Sequence, residues 1–316
     1  GGWDLVHCEH LRGTASLPES LEIPVVWDAV DCMSDLYRRL ASRSRNPVAR
    51  HWRHREADAL EVLERQWQTR ADAVVCASDA EAELLHGLAP LTVPIVIPNG
   101  VEASFATKTE RDRGTQCSPW SMESGWPVGG LPSGDPEKSG PVLVCSGKWR
   151  HPPNREAVDW VLESIWPRIL ETIPDAQLWI AGAAPPRAWS RRAVERRIRI
   201  LADVPDMGVV LRGADVALCA MITVAGVQNK ILEALAAGLP VVATEGCAAP
   251  VAGAVACGSV VVADGADALA AAAIDLLANP NRARARGESG RQWVVRECRW
   301  DNSAARLEAV WRGVIA

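Results

Sequence analysis

Short apolar runs alternate with longer segments of helical periodicity along most of the chain. In the helical segments apolar residues recur every three or four positions, as they do from Val158 to Ile169, so each helix is expected to bury one face. The short runs lack polar alternation, which is typical of strands buried on both faces of a parallel sheet. Strands are therefore predicted at residues 3–8, 23–29, 73–77, 94–97, 141–146, 176–181, 215–219, 241–243 and 260–263. This alternation predicts an α/β fold.

A segment rich in Gly, Pro and Ser divides the pattern at residues 104–140, and we expect it to be a partly disordered linker. The division predicts two Rossmann-like domains that face each other across a cleft, one over residues 1–103 and one over residues 141–300. A last helix is predicted over residues 301–316. The first residues look like the middle of an α/β domain, so the first domain is expected to be incomplete, with its N-terminal part missing from the chain.

Two local signals define helix boundaries in the first domain. Ser78 and Glu81 have the spacing of a capping box, in which the serine caps a helix and the glutamate reaches back to the serine amide. Pro47 is expected to break the polar helical region that runs from Tyr37 to Arg70, because proline lacks an amide hydrogen.

The segment Ala225–Thr244 carries the most specific pattern. Gly226 opens it at a point where the backbone is expected to turn sharply or to approach another group closely. A short helix follows, and Lys230 and Glu233 share one face of it. A helix N-terminus beside a lysine suits a phosphate group, and the glutamate suits sugar or ribose hydroxyls. The alternative is a surface ion pair on an ordinary helix.

Composition narrows the classes of function. The net charge of −5 argues against general nucleic-acid binding, and no apolar run reaches the roughly 18 residues of a membrane helix. The nine cysteines are scattered without a Cys-x-x-Cys pair, which indicates neither a zinc knuckle nor a redox motif. Several lie in apolar runs, as buried thiols do in a reducing cytoplasm, so a cytoplasmic protein is expected.

The sequence Gly-Val-Gln-Asn-Lys-Ile-Leu-Glu-Ala-Leu-Ala from Gly226, followed by Gly-Leu-Pro-Val-Val-Ala-Thr from Gly238, resembles the donor-binding signature of family 4 glycosyltransferases. It is similar to a bacterial sugar-transferase subgroup with a Gly-x-x-Asn-Lys-x-x-Glu motif. Many members of the family have a further Glu at the position of Ala225, which this subgroup lacks. The resemblance implies the GT-B fold, a nucleotide diphosphate sugar as donor substrate, no cofactor and no metal. It also implies that the helix over residues 301–316 crosses back to the first domain.

The resemblance also implies which residues bind the donor. Lys148 directly follows a buried strand, so its side chain is expected to point into the cleft and to contact the diphosphate. Residues 204–207 are the candidate pocket for the nucleotide base. The predicted donor-binding residues are Gly147, Lys148, Asn154, Val204, Asp206, Met207, Gly226, Val227, Gln228, Asn229, Lys230 and Glu233.

The acceptor is expected to bind at the end of the first strand, where His7, His10 and Arg12 lie close together in the sequence. His7 is a candidate for orienting the acceptor hydroxyl, and His7, Lys148, Lys230 and Glu233 are the catalytic candidates. One alternative is that His7 is a loop residue with no role. Another is a metal cluster of His7, Glu9 and His10, but the resemblance implies no metal.

Seven arginines lie between Arg38 and Arg55. Such a run is typical of a solvated helix face. The functional alternative is a basic patch that contacts an anionic membrane or a lipid-phosphate acceptor, which would place the protein peripherally at the inner face of the membrane.

The resemblance implies a hexosyltransferase that moves a hexose from a nucleotide diphosphate sugar to an acceptor hydroxyl in polysaccharide, glycolipid or secondary-metabolite biosynthesis. The acceptor is expected to be a sugar, a lipid-linked sugar or a small molecule, and the resemblance implies retention of configuration. Two alternatives stay open. One is a nucleotide-sugar 2-epimerase of the same fold, and the other is a degenerate donor-binding module without activity.

Overall fold

The computed structural model describes residues 2–18, 20–102, 105, 140–189 and 197–316. Apart from Phe105 and Gly140, the predicted linker at 104–140 lies outside the described residues. The elements form two parallel sheets joined to flanking helices, so the predicted α/β class is confirmed. The elements before residue 103 are called the first domain below, and those from residue 140 onward the second domain.

The first domain contains a four-stranded parallel sheet in the order β1-β2-β3-β4. Its strands are β1 (Val6–Glu9), β2 (Val25–Asp28), β3 (Ala73–Cys76) and β4 (Ile95–Val96). Its helices are α1 (His10–Thr14), α2 (Met33–Ser42), α3 (Pro47–Arg70) and α4 (Asp79–Leu88). As predicted, Pro47 separates two helices, and the Asn46 side chain caps α3 by accepting from the Val48 amide at 2.9 Å.

The capping box at the start of α4 forms only in part. The Ser78 Oγ accepts from the Glu81 amide at 3.2 Å, as predicted. The Glu81 carboxylate does not return to the Ser78 amide, so that half of the prediction is wrong. Its two oxygens accept from the Cys32 amide at 2.7 Å and the Gly226 amide at 3.1 Å, which lie on other elements.

The second domain contains a six-stranded parallel sheet in the order β10-β9-β8-β5-β6-β7. Its strands are β5 (Val142–Lys148), β6 (Gln177–Ala183), β7 (Ile198–Ala202), β8 (Val216–Cys219), β9 (Val241–Ala243) and β10 (Val260–Val262). The strand order reverses between β5 and β8, which are neighbours in the sheet. In an open α/β sheet of this order, the crevice beyond the carboxyl ends of those two strands is the expected ligand site.

Helices cover both faces of the second sheet, so its strands are buried on both sides. Val144 and Cys145 follow each other in β5 and pack into separate hydrophobic cores on opposite faces. The helices are α5 (Pro152–Trp160), α6 (Trp166–Thr172), α7 (Met207–Arg212), α8 (Asn229–Ala236), α9 (Glu245–Ala248), α10 (Ala252–Ala256), α11 (Ala266–Ala278), α12 (Pro280–Glu297) and α13 (Trp300–Ile315). A π-helical turn at Val161–Ile165 joins α5 to α6, and a 3₁₀ turn at Ala249–Val251 joins α9 to α10.

The last helix, α13, contacts the first domain at two points far apart in sequence. The Ser303 Oγ donates to the Pro98 carbonyl at 2.5 Å, and the Trp311 Nε1 donates to the His7 Nδ1 at 3.2 Å. These are the contacts expected of a helix that crosses back from the second domain. In the part of the chain that the structure describes, no helix combines the length and apolarity needed to cross a bilayer.

Two helical glycines provide a matched test of helix packing. A Cβ at Gly287 in α12 would overlap the carbonyl oxygen of Gly238, which follows α8, whereas a Cβ at Gly313 in α13 would meet nothing. We predict that Gly287→Ala destabilises the chain by about 1–3 kcal/mol, because a backbone atom must move. Gly313→Ala should stabilise it by up to about 1 kcal/mol, since alanine is the better helix former.

Urea denaturation of the two variants and the parent chain checks this prediction. If Gly287→Ala stabilises as much as Gly313→Ala, the close approach of α12 to the end of α8 is wrong.

Candidate functional site

The candidate site lies where β5 and β8 end side by side. Lys148 is the last residue of β5 and is exposed. The loop after β8 leads into α8, which starts at Asn229 and buries Ile231 and Leu235 against the sheet, as its periodicity predicts. Burial of that face leaves Lys230 and Glu233 partly exposed on the other side of the helix. The fold therefore brings Lys148, Lys230 and Glu233 to one crevice.

Lys230 is held by a buried asparagine. Its Nζ donates to the Asn154 Oδ1 at 2.6 Å and lies 3.3 Å from the Met221 Sδ. The Asn154 Nδ2 in turn donates to the Lys148 carbonyl at 3.0 Å. Asn154 was predicted to contact the donor, but both ends of its amide are engaged by the protein. Its position suits it to orient Lys230 against the end of β5.

Glu233 lies in the field of both lysines. Burial raises the pKa of the Glu233 carboxyl, while the charges of Lys230 and Lys148 lower this pKa and Glu102 raises it. The carboxylate is thus a partly desolvated acceptor next to two cations.

No side chain among the described residues caps the N-terminus of α8. The N-cap residue is Gln228, whose Nε2 donates to the Ala225 carbonyl at 3.0 Å. The first-turn amides of α8 and the Lys230 ammonium therefore present positive charge at one point without a competing side-chain acceptor. That combination can bind an anion, as the sequence predicts.

Gly226 has the two properties that its sequence position predicts, but its neighbour is unexpected. Its φ is +59°, and a Cβ there would overlap the Asp31 Oδ1 of the first domain. Its amide donates to the Glu81 Oε1. The Gly226 amide is therefore already bonded to a carboxylate of the protein, and contact of Gly226 with the donor stays a prediction.

The remaining donor-binding candidates have local contacts. Val227 is half-buried and packs against the core, and Asn229 is exposed and accepts from the Asn99 Nδ2 at 2.9 Å. At the candidate base pocket, Val204 and Met207 pack against the same core. Asp206 caps α7 by accepting a hydrogen bond from the Val209 amide at 3.4 Å. Gly147 directly precedes Lys148 in β5.

On the first domain, His7 is tied to the last helix. Its Nδ1 accepts from Trp311, and its Nε2 lies 3.8 Å from the Asp28 Oδ2. The indole donor requires an unprotonated Nδ1, so the ring proton is on the Nε2 and faces the carboxylate. Burial raises the pKa of Asp28, which the Val30 amide and His7 lower and Glu9 raises.

His10 and Asp31 lie beside this pair. His10 has a φ of +61°, and its Nδ1 accepts from the Arg12 amide at 3.2 Å. Burial raises the pKa of Asp31, while His10 lowers it and Asp28 raises it. Arg12 itself is exposed. Within the described ranges, no three His, Cys, Asp or Glu side chains converge as metal ligands.

Sequence reasoning missed Asp28, Asp31 and Glu81 as site residues. The two aspartates belong to an Asp-x-x-Asp-x-x-Ser run at the end of β2, and that run was the available signal for them. Glu81 offered no such signal, because its spacing from Ser78 pointed to a helix cap.

Comparison with known proteins gives a consistent picture for the second domain. Residues 140–279 match the family model described as Glycosyl transferases group 1. A "GDP-mannose-dependent alpha-(1-6)-phosphatidylinositol monomannoside mannosyltransferase" of Mycolicibacterium smegmatis is 31% identical over 195 residues. The match covers 55% of this chain and 48% of that protein. Its monoacylated-substrate counterpart in Corynebacterium glutamicum is 32% identical over 178 residues, 53% of this chain and 46% of that protein. The chain thus spans about half the length of these relatives.

Solved structures agree on the fold. A sucrose-phosphate synthase of Thermosynechococcus elongatus superposes with a TM-score of 0.73 at 17% identity, covering 99% of this chain and 74% of that one. WaaG, a glycosyltransferase involved in lipopolysaccharide biosynthesis, gives 0.63 at 16% identity, covering 91% and 77%. Anabaena HepE in complex with UDP gives 0.66 at 12% identity, covering 98% and 79%. The predicted GT-B arrangement of two Rossmann-like domains is confirmed.

The raised pKa of Glu233 leads to a prediction about stability and pH. Because burial raises this pKa, the folded chain holds the proton more tightly than the unfolded chain, and stability is lost as pH rises through the raised pKa. We predict that Glu233→Gln raises the melting temperature at pH 8, because glutamine stays neutral. The gain should shrink as the pH is lowered towards 5.

Calorimetry of both proteins at the two pH values makes the measurement, with Glu83→Gln as a control at an exposed position on α4. A gain of equal size at both pH values would assign the effect to packing and not to charge.

Proposed function

We propose that this chain transfers a hexose from a nucleotide diphosphate sugar to a hydroxyl of a glycolipid acceptor. The match of residues 140–279 to the family model described as Glycosyl transferases group 1 supports this proposal. The observation that carries the proposal is the convergence of Lys148, Lys230 and the uncapped N-terminus of α8 at the β5–β8 crevice. The named activities of the relatives supply GDP-mannose as the candidate donor and a phosphatidylinositol mannoside as the candidate acceptor.

The reaction needs stabilisation of the departing diphosphate, whose negative charge increases in the transition state. Lys230, fixed by Asn154, and Lys148 would supply positive charge there, together with the first-turn amides of α8. The proposal assigns this task to the lysines and needs no separate cofactor. Glu233 would accept hydroxyl hydrogen bonds from the donor.

The acceptor would approach from the first domain, where His7 lies within β1 and His10 directly follows the strand. His7 carries its ring proton on the side of Asp28, so it suits hydrogen bonding to an acceptor oxygen more than proton removal. Retention of anomeric configuration, which the family resemblance implies, needs no strong base and fits a His7 that cannot act as one.

NMR analysis of the linkage in the transfer product tests retention, and incubation with donor alone tests for epimerisation of the sugar.

Binding of the nucleotide is the first test of the proposal. We predict that GDP raises the melting temperature of the chain, since the cationic crevice is already formed. At a concentration one hundred times the dissociation constant, GDP should stabilise the fold by about 2.7 kcal/mol. The absence of any shift with millimolar GDP, UDP, ADP or TDP would contradict the proposed site.

A pair of variants locates the phosphate. Lys230→Ala should weaken GDP binding by roughly 10-fold to 100-fold, the equivalent of one charge-assisted hydrogen bond. Arg150→Ala removes an exposed cation two residues after Lys148 and should have a smaller effect. Equal dissociation constants for the two variants, measured by calorimetry, would place the phosphate away from α8.

We further propose that residues 38–55, which include the end of α2, the connection to α3 and the first turns of α3, contact an anionic membrane that carries the acceptor. Arg38 and Arg39 pair with acidic residues, and Arg53 donates to a carbonyl. The other four arginines of the run are exposed, and the structure shows no ion pair for them in its described part: Arg43, Arg45, Arg50 and Arg55. Val48 and Trp52, which are 64% and 65% exposed, lie one turn apart among them. Arginine with exposed tryptophan is typical of interfacial binding.

Vesicle sedimentation tests this contact. We predict that replacing Arg43, Arg45 and Arg50 by glutamine weakens binding to phosphatidylglycerol vesicles by roughly 100-fold at low salt, at about 1 kcal/mol per arginine. A control with the same net charge replaces three exposed arginines of the second domain by glutamine, namely Arg187, Arg284 and Arg306. Equal loss of binding in both variants would indicate a nonspecific effect of net charge.

A further inference from the structure

A buried glutamate joins the two domains at the donor loop, defined here as residues 225–229. Glu81 is 6% exposed, and its Oε1 accepts from the Gly226 amide at 3.1 Å across the cleft. Its Oε2 accepts from the Cys32 amide at 2.7 Å within the first domain. The two contacted amides lie on opposite sides of the cleft, so this one carboxylate bridges the domains.

Gly226 is shaped for this contact. The positive φ turns its amide towards α4, and the absence of a side chain lets the Asp31 carboxylate pack directly on its backbone. A second contact crosses the cleft three residues later, where the Asn99 amide donates to the Asn229 side chain. The donor loop is therefore held by the first domain near both of its ends.

The first domain holds Asp31 in place through a strained turn. Val30 has a φ of +60°, which is rare for a β-branched residue, and the Asp31 amide donates to the Ala29 carbonyl at 2.6 Å. Strain of this kind persists only where surrounding contacts impose it, and it is frequent at functional sites. Here it occurs on the segment that meets Gly226.

Glu81 does not cap either of the two helices next to it. Ser78 caps α4 through its own hydroxyl, and Glu64 accepts from the Met33 and Ser34 amides at the start of α2. Burial raises the pKa of Glu81, and the Cys32 and Gly226 amides lower it, while Asp31 and Asp35 raise it. If the domains separate, the buried carboxylate loses one of its two donors.

We propose that Glu81 is a positioning residue that couples closure of the two domains to the shape of the donor loop. The coupling rests on the proposed function, because it assigns the nucleotide sugar to the site that begins at this loop. Lys230 lies four residues after Gly226, so a fixed loop sets where its ammonium meets the diphosphate. Since coupling between binding and closure is reciprocal, nucleotide binding favours closure by the same factor by which closure favours nucleotide binding.

The test is amide hydrogen exchange of the donor loop without nucleotide. Glu81→Gln keeps the side-chain shape, removes the charge and replaces one acceptor oxygen with an NH₂ group. The Gly226 amide therefore either loses its acceptor or keeps only a weaker, neutral one. Exchange at Gly226 should become about tenfold faster, which is the effect of losing a hydrogen bond to a charged group. Strand β5 should exchange as before.

Two controls separate coupling from general loss of stability. Glu64→Gln disturbs a buried carboxylate that contacts only the first domain, and it should leave exchange at Gly226 unchanged even if it lowers the melting temperature. Glu83→Gln changes an exposed carboxylate on the same helix as Glu81 and should change neither quantity. Unchanged exchange in Glu81→Gln, or equal acceleration in Glu64→Gln, overturns the proposal.

Nucleotide binding distinguishes this inference from the proposed function. In Glu81→Gln the dissociation constant of GDP should be higher than in the parent chain, because GDP must then also draw the donor loop into its bound shape. Exchange at Gly226 could be faster in Glu81→Gln while neither the variant nor the parent chain binds a nucleotide. That result would support the interdomain contact but overturn its coupling to a donor. Normal GDP binding with unchanged exchange would overturn the coupling and leave the proposed function intact.

Discussion

The amide of Asn154 is the contact on which the candidate donor site depends. Its oxygen accepts a hydrogen bond from the Lys230 ammonium, and its nitrogen donates to the Lys148 carbonyl at the end of β5. The Lys230 cation on α8 is therefore held at a fixed position relative to β5. A lysine side chain otherwise has four rotatable bonds and a strongly hydrated head group. Held in this way, it offers a charge of defined position, which is what electrostatic stabilisation of a leaving group requires.

Each domain places charged groups of its own at the cleft. The second domain presents lysines and a helix N-terminus, while the first presents Asp28, Asp31 and Glu81, whose pKa values burial raises. Burying these carboxylates works against the stability of the unliganded fold near neutral pH. Such a loss is expected at sites where polar groups are arranged for a ligand and not for the protein alone.

Sequence reasoning succeeded where the cause is local. The strand positions other than that of β7, the break at Pro47, the buried face of α8 and the special backbone of Gly226 all follow from residues close together in the chain. It failed where the partner is remote. Glu81 and Gly226 are 145 residues apart, so the sequence offered only the spacing of Glu81 from Ser78, which predicted a capping box. That prediction missed the hydrogen bond to the other domain. Likewise, Asn154 and Lys230 are 76 residues apart, and no periodicity relates them.

The return of α13 to the first domain has a consequence for folding. Ser303 meets Pro98 across 205 residues, and Trp311 meets His7 across 304. On the ribosome these contacts must await synthesis of residues 300–315, although the strands they cover emerge early. The surface of the first domain that α13 covers therefore stays exposed while the second domain is synthesised. Contacts of such long sequence separation form slowly, so nascent chains are exposed to association with one another during that interval.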